Sequence, residues 1–251
     1  MELTLVHLYP DLMNIYGDLG NILALRFRCA KRGIKLKVRN LSLKDELIPN
    51  SFDLVFGGGV QDRQQIVISR DLAAKKPALI QAAKAGIPML TICGTYQLFG
   101  RYFKPWQGPA LKGLGIFNAY TVASKHRKIG NILIKTSDFA LRTSDFLVGF
   151  ENHSGNTYLA DKNQALGQVI CGFGNNGIDK TEGARTQNVF GCYLHGSLLP
   201  KNPHLADYLI KLALEVKYKK KIRLKTLNDE LEWQAHRASA KICIKPGCWN
   251  R

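Results

Sequence analysis

Cys93 stands between the apolar run Pro88-Met89-Leu90-Thr91-Ile92 and the segment Gly94-Thr95-Tyr96-Gln97-Leu98-Phe99. That pattern reads as a strand, a tight turn and a helix. A cysteine on such a turn presents its sulfur at a strand end, where the start of the following helix favours the reactive thiolate. Gly94 leaves its backbone N–H free of side-chain obstruction, so that it can face developing negative charge. A lone cysteine at a strand end is ordinarily a small buried hydrophobe; the position and neighbours of Cys93 read instead as a nucleophile. A second element is Gly57-Gly58-Gly59 after the apolar Phe52-Asp53-Leu54-Val55-Phe56. Without Cβ atoms, Gly58 and Gly59 let the backbone approach a ligand and aim N–H groups at it. Such a run is by itself only a turn, and it gains meaning from the nucleophile expected on another strand. The third element is Gly191-Cys192-Tyr193-Leu194-His195-Gly196, which puts an imidazole at a strand end. A thiol and an imidazole there can share a proton, the sulfur attacking and the ring later protonating the leaving group. His7, His126, His153, His204 and His236 read as structural or exposed.

Strands alternating with helices must position these residues. Leu3 to Leu8 reads as a strand, Ile22 to Arg28 as helical, and Lys35 to Leu41 and Phe52 to Phe56 as strands. Ala73 to Ala85 reads as a helix closed by Gly86 and Pro88, and residues 88–92 as the next strand. The expected fold is α/β: a mostly parallel sheet with helices on both faces, whose active site lies at the carboxyl ends of the strands. From Gly113 to about Phe190 the chain is richer in Gly, Asn and Thr, which predicts antiparallel strands around the site. Pro203 to Lys217 reads as a helix, followed by the basic stretch Lys217 to Lys225 and an amphipathic helix from Asn228 to Ala240. The expected division is an α/β domain over residues 1–215 and a basic, partly helical C-terminal extension over 216–251. No internal repeat is visible.

The bulk numbers narrow the class. The 251 residues are 45% hydrophobic, enough for one large core or two modest ones. No run of about 18 apolar residues occurs and the N-terminus lacks a signal-peptide pattern, so a cytoplasmic location is expected. Lys and Arg number 36 against 19 Asp and Glu, a net charge of +17. Such an excess attracts polyanions and acidic proteins. No helix-turn-helix, zinc finger or RNA-binding aromatic signature accompanies it, so it reads as solvated surface and no specific nucleic acid is expected. The six cysteines lack the spacing of a disulfide framework. Cys243 and Cys248 lie close together, but no second pair completes a metal site, and no metal is expected.

Taken together, the Cys93 turn, the glycine run and the His195 strand resemble the class I glutamine amidotransferases, which have a flavodoxin-like fold, and in particular the branch shared with cobyric acid synthase. Thr91-Ile92-Cys93-Gly94-Thr95-Tyr96-Gln97 departs from that branch at Thr95, where glycine is usual. The likeness is closer to the family of glutaminase subunits of lipid II isoglutaminyl synthases and covers most of residues 3–212. It is carried by residues 14–21 (Asn-Ile-Tyr-Gly-Asp-Leu-Gly-Asn), the glycine run with Asp62-Arg63-Gln64-Gln65, the Cys93 turn, Arg127 to Asn131, Gly149 to Gly155, and Tyr193 to Gly196 with Leu199 to Asn202. The resemblance implies glutamine hydrolysis, with Cys93 and His195 catalytic and Arg127, Gly58, Gly59, Gly94 and Gln97 binding L-glutamine. Arg127 would grip the substrate carboxylate in two places. The resemblance further implies a heterodimer with a Mur-ligase-like catalytic subunit that activates the glutamate of lipid II with ATP, which could bring this chain to the inner face of the membrane. The chain contains no G-x-x-x-x-G-K-[ST] phosphate loop, so no cofactor is expected in it and ATP belongs to the partner. Many class I enzymes place a glutamate two residues after the histidine, whereas this chain has Ser197. Asp18, Glu151 and a carboxylate from the partner remain the candidates for orienting His195. The other readings are an amidotransferase serving another acceptor, such as a corrinoid, and a catalytically silent protein of the same fold.

Overall fold

The computed structural model describes residues 1–136 and 144–244; Cys248 lies outside them. In chain order the elements are β1 (Glu2–Leu8), α1 (Leu19–Ala30), β2 (Lys35–Leu41), β3 (Leu54–Gly57), α2 (Asp62–Lys84), β4 (Met89–Ile92) and α3 (Gly94–Phe99). A β-rich stretch follows: β5 (Tyr102–Lys104), β6 (Leu111–Lys112), β7 (Ala119–Thr136), β8 (Phe146–Leu159), β9 (Gly167–Cys171), β10 (Thr181–Glu182), β11 (Ala184–Thr186) and β12 (Val189–Cys192). The chain then continues as α4 (Leu198–Lys201), α5 (Pro203–Tyr218) and α6 (Glu230–Ile244).

Two six-stranded sheets result. The first runs β11-β12-β4-β3-β1-β2, with every neighbouring pair parallel except the edge pair β11 and β12. Every residue of β3, β4 and β12 is buried, so the sheet is covered on both faces, as expected of continuous apolar strands in a parallel sheet. The second sheet collects β5 to β10 around the long strands β7 and β8, which pair antiparallel. Apart from the parallel pair β5 and β7 it is antiparallel, as anticipated for the middle of the chain.

Register carries the carboxyl ends of the first sheet to one edge. Leu8 lies beside Gly57, Gly57 beside Thr91, and Ile92 beside Cys192. The loops leaving β1, β3, β4 and β12 therefore converge, and they carry Asp18, Gly58–Gly59, Cys93 and His195. The second sheet reaches the same edge through Phe150 on β8. There the Phe150 N–H donates to the His195 carbonyl at 3.1 Å and the His195 N–H to the Phe150 carbonyl at 2.8 Å.

Helix α2 is longer than its sequence suggests. It starts at Asp62 and passes through Pro77, because Ile68, Leu72, Leu79 and Ala82 form one buried stripe across the proline. Packing of that stripe outweighs the hydrogen bond that Pro77 cannot make. The chain beyond α5 folds back on the helices that precede it. Arg28 of α1 bridges Asp207 of α5 at 2.6 Å and Asp229 at 2.7 Å. Trp233 of α6 stacks on His204, and His236 Nδ1 meets the Lys201 carbonyl at 2.9 Å.

Candidate active site

Cys93 is the residue on which the chain turns from β4 into α3. Its φ is 50° and its ψ −102°, in the left-handed half of backbone space where a side chain is strained. Its N–H donates to the Cys192 carbonyl at 2.8 Å, which keeps the turn in register with β12. The strain falls at Cys93 and not at Thr95, which is absent from the positive-φ residues and lies within α3. Thr95 uses its hydroxyl to donate to the Gly58 carbonyl at 2.7 Å, tying the nucleophile turn to the glycine run. A Cβ on Gly57 would stand 2.7 Å from that hydroxyl oxygen, so glycine at 57 makes room for threonine at 95.

His195 is fully buried. Its Nδ1–H donates to Asp18 Oδ1 at 3.3 Å, a tautomer set by the carboxylate, which can only accept. Burial lowers the ring's proton affinity, but negative charge on the neighbouring Cys93 sulfur and the bond to Asp18 outweigh it and push the pKa up to about 10. The ring's Nε2 has no hydrogen-bond partner of ordinary length. Such bonds are commonly long in a free site and tighten around the substrate. Burial pushes the Cys29 thiol up to about 12 and the Cys192 thiol well above its usual range, so both stay in the unreactive thiol form.

Of the two acids in this chain considered for orienting His195, Asp18 reaches it and Glu151 does not. Glu151 Oε1 accepts the Phe173 N–H at 2.7 Å and its Oε2 the Gly174 N–H at 3.0 Å, and it stands 3.5 Å from His153. Ser197, at the position where an acid was expected, has a different task. Its hydroxyl donates to the Gly17 carbonyl at 2.5 Å and so pins the loop that delivers Asp18. Gly20, packed against the Ser197 side chain, allows that close approach.

The expected binding residues divide into two groups. The Gly59 N–H donates to Asp18 Oδ2 at 2.6 Å, and a Cβ at Gly59 would lie 2.6 Å from His195 Cε1. Gly59 thus backs onto the imidazole and steadies its acid. Gly94 opens α3, so its N–H belongs to the first turn, where a helix leaves donors without internal partners. Gln97 is buried, its Oε1 accepting from Gln65 at 2.7 Å and its Nε2 donating to the Tyr193 hydroxyl at 3.2 Å. Arg127 sits at a register break of β7, exposed, donating through Nε to Asn152 Oδ1 at 2.5 Å and through Nη2 to the Tyr16 hydroxyl at 2.9 Å. Tyr16, Asn152 and Ser197 as site residues escaped sequence reasoning, because only the fold brings them together.

No group of three or more His, Cys, Asp or Glu among the described residues could hold a metal. No helix among them is long and apolar enough to cross a membrane. Chemically, the site can form a thiolate–imidazolium pair beside helix-start amides, with a cationic fork a short way off.

Comparison with known proteins agrees with this geometry. Residues 4–203 match a family described as the CobB/CobQ-like glutamine amidotransferase domain. The chain is 41% identical to the lipid II isoglutaminyl synthase (glutamine-hydrolyzing) subunit GatD of Streptococcus pneumoniae, across 92% of this chain and 87% of the relative. It is 42% identical to the Staphylococcus aureus subunit of the same name, across 86% of each. A cobyric acid synthase of Desulforamulus reducens is 30% identical, but over 47% of this chain and 25% of the relative. Among solved structures, PurLQS from Thermotoga maritima superposes with a TM-score of 0.60 at 15% identity, covering 88% of this chain and 100% of that one. At that identity the likeness is one of fold.

Proposed function

Because the chain belongs to the CobB/CobQ-like glutamine amidotransferase family, we propose that it hydrolyses glutamine to glutamate and ammonia for a second subunit, which amidates the glutamate of lipid II to isoglutamine. The observation that carries the reading is the strained turn at Cys93 together with the buried His195, whose Nδ1 meets Asp18 Oδ1 at 3.3 Å. The long match to two lipid II isoglutaminyl synthase subunits, against a match to a quarter of a cobyric acid synthase, favours the peptidoglycan acceptor over a corrinoid.

In this reading the Cys93 thiolate adds to the side-chain amide carbon of glutamine, and the carbonyl electrons move to oxygen beside the Gly94 N–H. His195 gives its proton to the nitrogen as the C–N bond breaks, leaving a γ-glutamyl thioester and ammonia. The neutral ring then takes a proton from water, which attacks the thioester and frees Cys93. Asp18 holds the tautomer that leaves Nε2 facing this chemistry. Arg127 grips the α-carboxylate, and Gln97 with Gln65 buttresses the turn.

Both relatives are named as subunits, and a carboxylate must be activated before ammonia displaces anything from it. We assign that step to a Mur-ligase-like partner carrying ATP, working in the cytoplasm where lipid II is assembled. The test measures glutamate release by the purified chain alone and with that partner, then amidated lipid II when ATP is added. Partner-stimulated glutamate release with an amidated product supports the proposal. Glutamine turnover with no transfer to lipid II would refute the acceptor, and no turnover in either preparation would refute the glutaminase.

A further inference from the structure

Tyr16 touches both halves of the site, yet neither the nucleophile chemistry nor the sequence pattern accounts for it. Its hydroxyl accepts from Arg127 Nη2 at 2.9 Å, and its ring meets the His195 ring edge-on with centroids 5.0 Å apart at 77°. The phenol is 42% exposed, whereas His195 beneath it is fully buried. Its backbone is held in the left-handed region, with φ 54°, followed by Gly17 at 81°. A tyrosine adopts that conformation only where its surroundings impose it. Here they do, because the Ser197 hydroxyl holds the Gly17 carbonyl and the Leu19 N–H donates to Asn14 Oδ1 at 2.9 Å. The loop is pinned immediately after Tyr16 so that its side chain projects over His195 towards Arg127.

Arg127 stands at a break in β7, and its Nε and Nη2 are already engaged by Asn152 and Tyr16. A guanidinium grips a carboxylate well only when the plane of its fork is fixed. Asn152 and Tyr16 hold that plane from two sides.

We propose that Tyr16 is a specificity-determining positioning residue, which sets the Arg127 fork for the α-carboxylate of glutamine and roofs the Cys93–His195 pair against reagents that lack that carboxylate. The inference rests on the glutaminase reading for its substrate arm, while its second arm needs only a reactive Cys93.

The experiment uses the full chain with its partner subunit. Tyr16→Phe keeps the ring and removes the hydroxyl, so KM for glutamine should rise about tenfold, the effect of losing one hydrogen bond to a charged group. Its kcat should stay within about threefold of wild type, since the imidazole keeps its neighbour. In an Arg127→Lys background the same change should add less than about twofold, because residues acting through one contact are not additive. Tyr16→Ala removes the roof, and alkylation of Cys93 by iodoacetamide, read by mass spectrometry, should accelerate severalfold. An unchanged KM in Tyr16→Phe, an equal fall in kcat, full additivity with Arg127→Lys, or unaltered alkylation in Tyr16→Ala would each overturn the proposal. Absence of glutamine turnover in the wild-type complex would instead strike the glutaminase reading, and the alkylation arm would still be read.

Discussion

Replacing Asp18 by Asn tests how the site is wired, because it removes one charge while keeping the shape of the side chain. Asp18 Oδ1 lies 3.3 Å from His195 Nδ1, and both side chains are fully buried. At an effective dielectric of about 20, opposite unit charges at that distance attract by roughly 5 kcal/mol, an upper bound worth between three and four decades in rate. Asn can still accept the Gly59 N–H, so the loop should hold and the protein should melt near the wild-type temperature. Its NH2 would face Nδ1, however, and drive the imidazole into the tautomer with the proton on Nε2, where it cannot take one from Cys93. The expected loss in kcat/KM is about 10³-fold, with little change in KM. Without the carboxylate the imidazolium is also less stable, so the ring's pKa falls from about 10 and the alkaline limb of the kcat/KM profile moves to lower pH. A stopped assay of glutamate release across pH 5 to 11 reads both effects. Activity within tenfold of wild type and an unmoved alkaline limb would refute Asp18 as the acid that orients His195.

Three further outcomes follow from the geometry. Arg127→Ala should raise KM for glutamine, and Arg127→Lys should restore little of the loss because an ammonium cannot reproduce the two-pronged grip; steady-state kinetics of both decide it. Gly59→Ala puts a methyl 2.6 Å from His195 Cε1, so kcat should fall by about 10²-fold while circular dichroism stays native. Burial pushes His7 and His204 down to about 4, below their unfolded value near 6.5. The unfolded chain therefore binds more protons between those limits, and stability present above pH 6.5 is lost as pH falls towards 4. Glu182, pushed up to about 8 by burial, acts in the opposite sense and loses stability as pH rises from about 4.5 to 8. Urea midpoints at pH 5 and 6.5, where the two histidines together outweigh the single opposing Glu182 carboxyl, should show the lower stability at pH 5.

The parallel sheet was legible because its strands are short apolar runs separated by helix and turn signals. Lys35 to Leu41 matches β2 residue for residue, and Pro203 to Lys217 falls one residue short of α5. The first half of α2 was not legible. Its polar Asp62-Arg63-Gln64-Gln65 start carries no capping signal, and Pro77 argues for a break that only the buried stripe of Ile68, Leu72, Leu79 and Ala82 overrides. Cys93 and His195 could be read from strand ends and neighbouring glycines, a local signal. Choosing between Asp18 and Glu151 could not be done locally, since Asp18 and His195 are 177 residues apart and meet only through the sheet register. Ser197 misleads for the same reason: an acid sought at a fixed spacing from the histidine is supplied by the loop that Ser197 pins.

The central claim is that Cys93 is the nucleophile that attacks glutamine. It is tested most directly by incubating the protein with a glutamine analogue carrying an electrophile in place of the side-chain amide, then mapping the adduct by peptide mass spectrometry beside glutamate release. One adduct per chain on Cys93, blocked by excess glutamine, together with loss of both labelling and turnover in a folded Cys93→Ala variant, is the expected result. The more buried thiols of Cys29 and Cys192 should stay unlabelled. An adduct on another cysteine, or wild-type glutamate release by Cys93→Ala, would contradict the account.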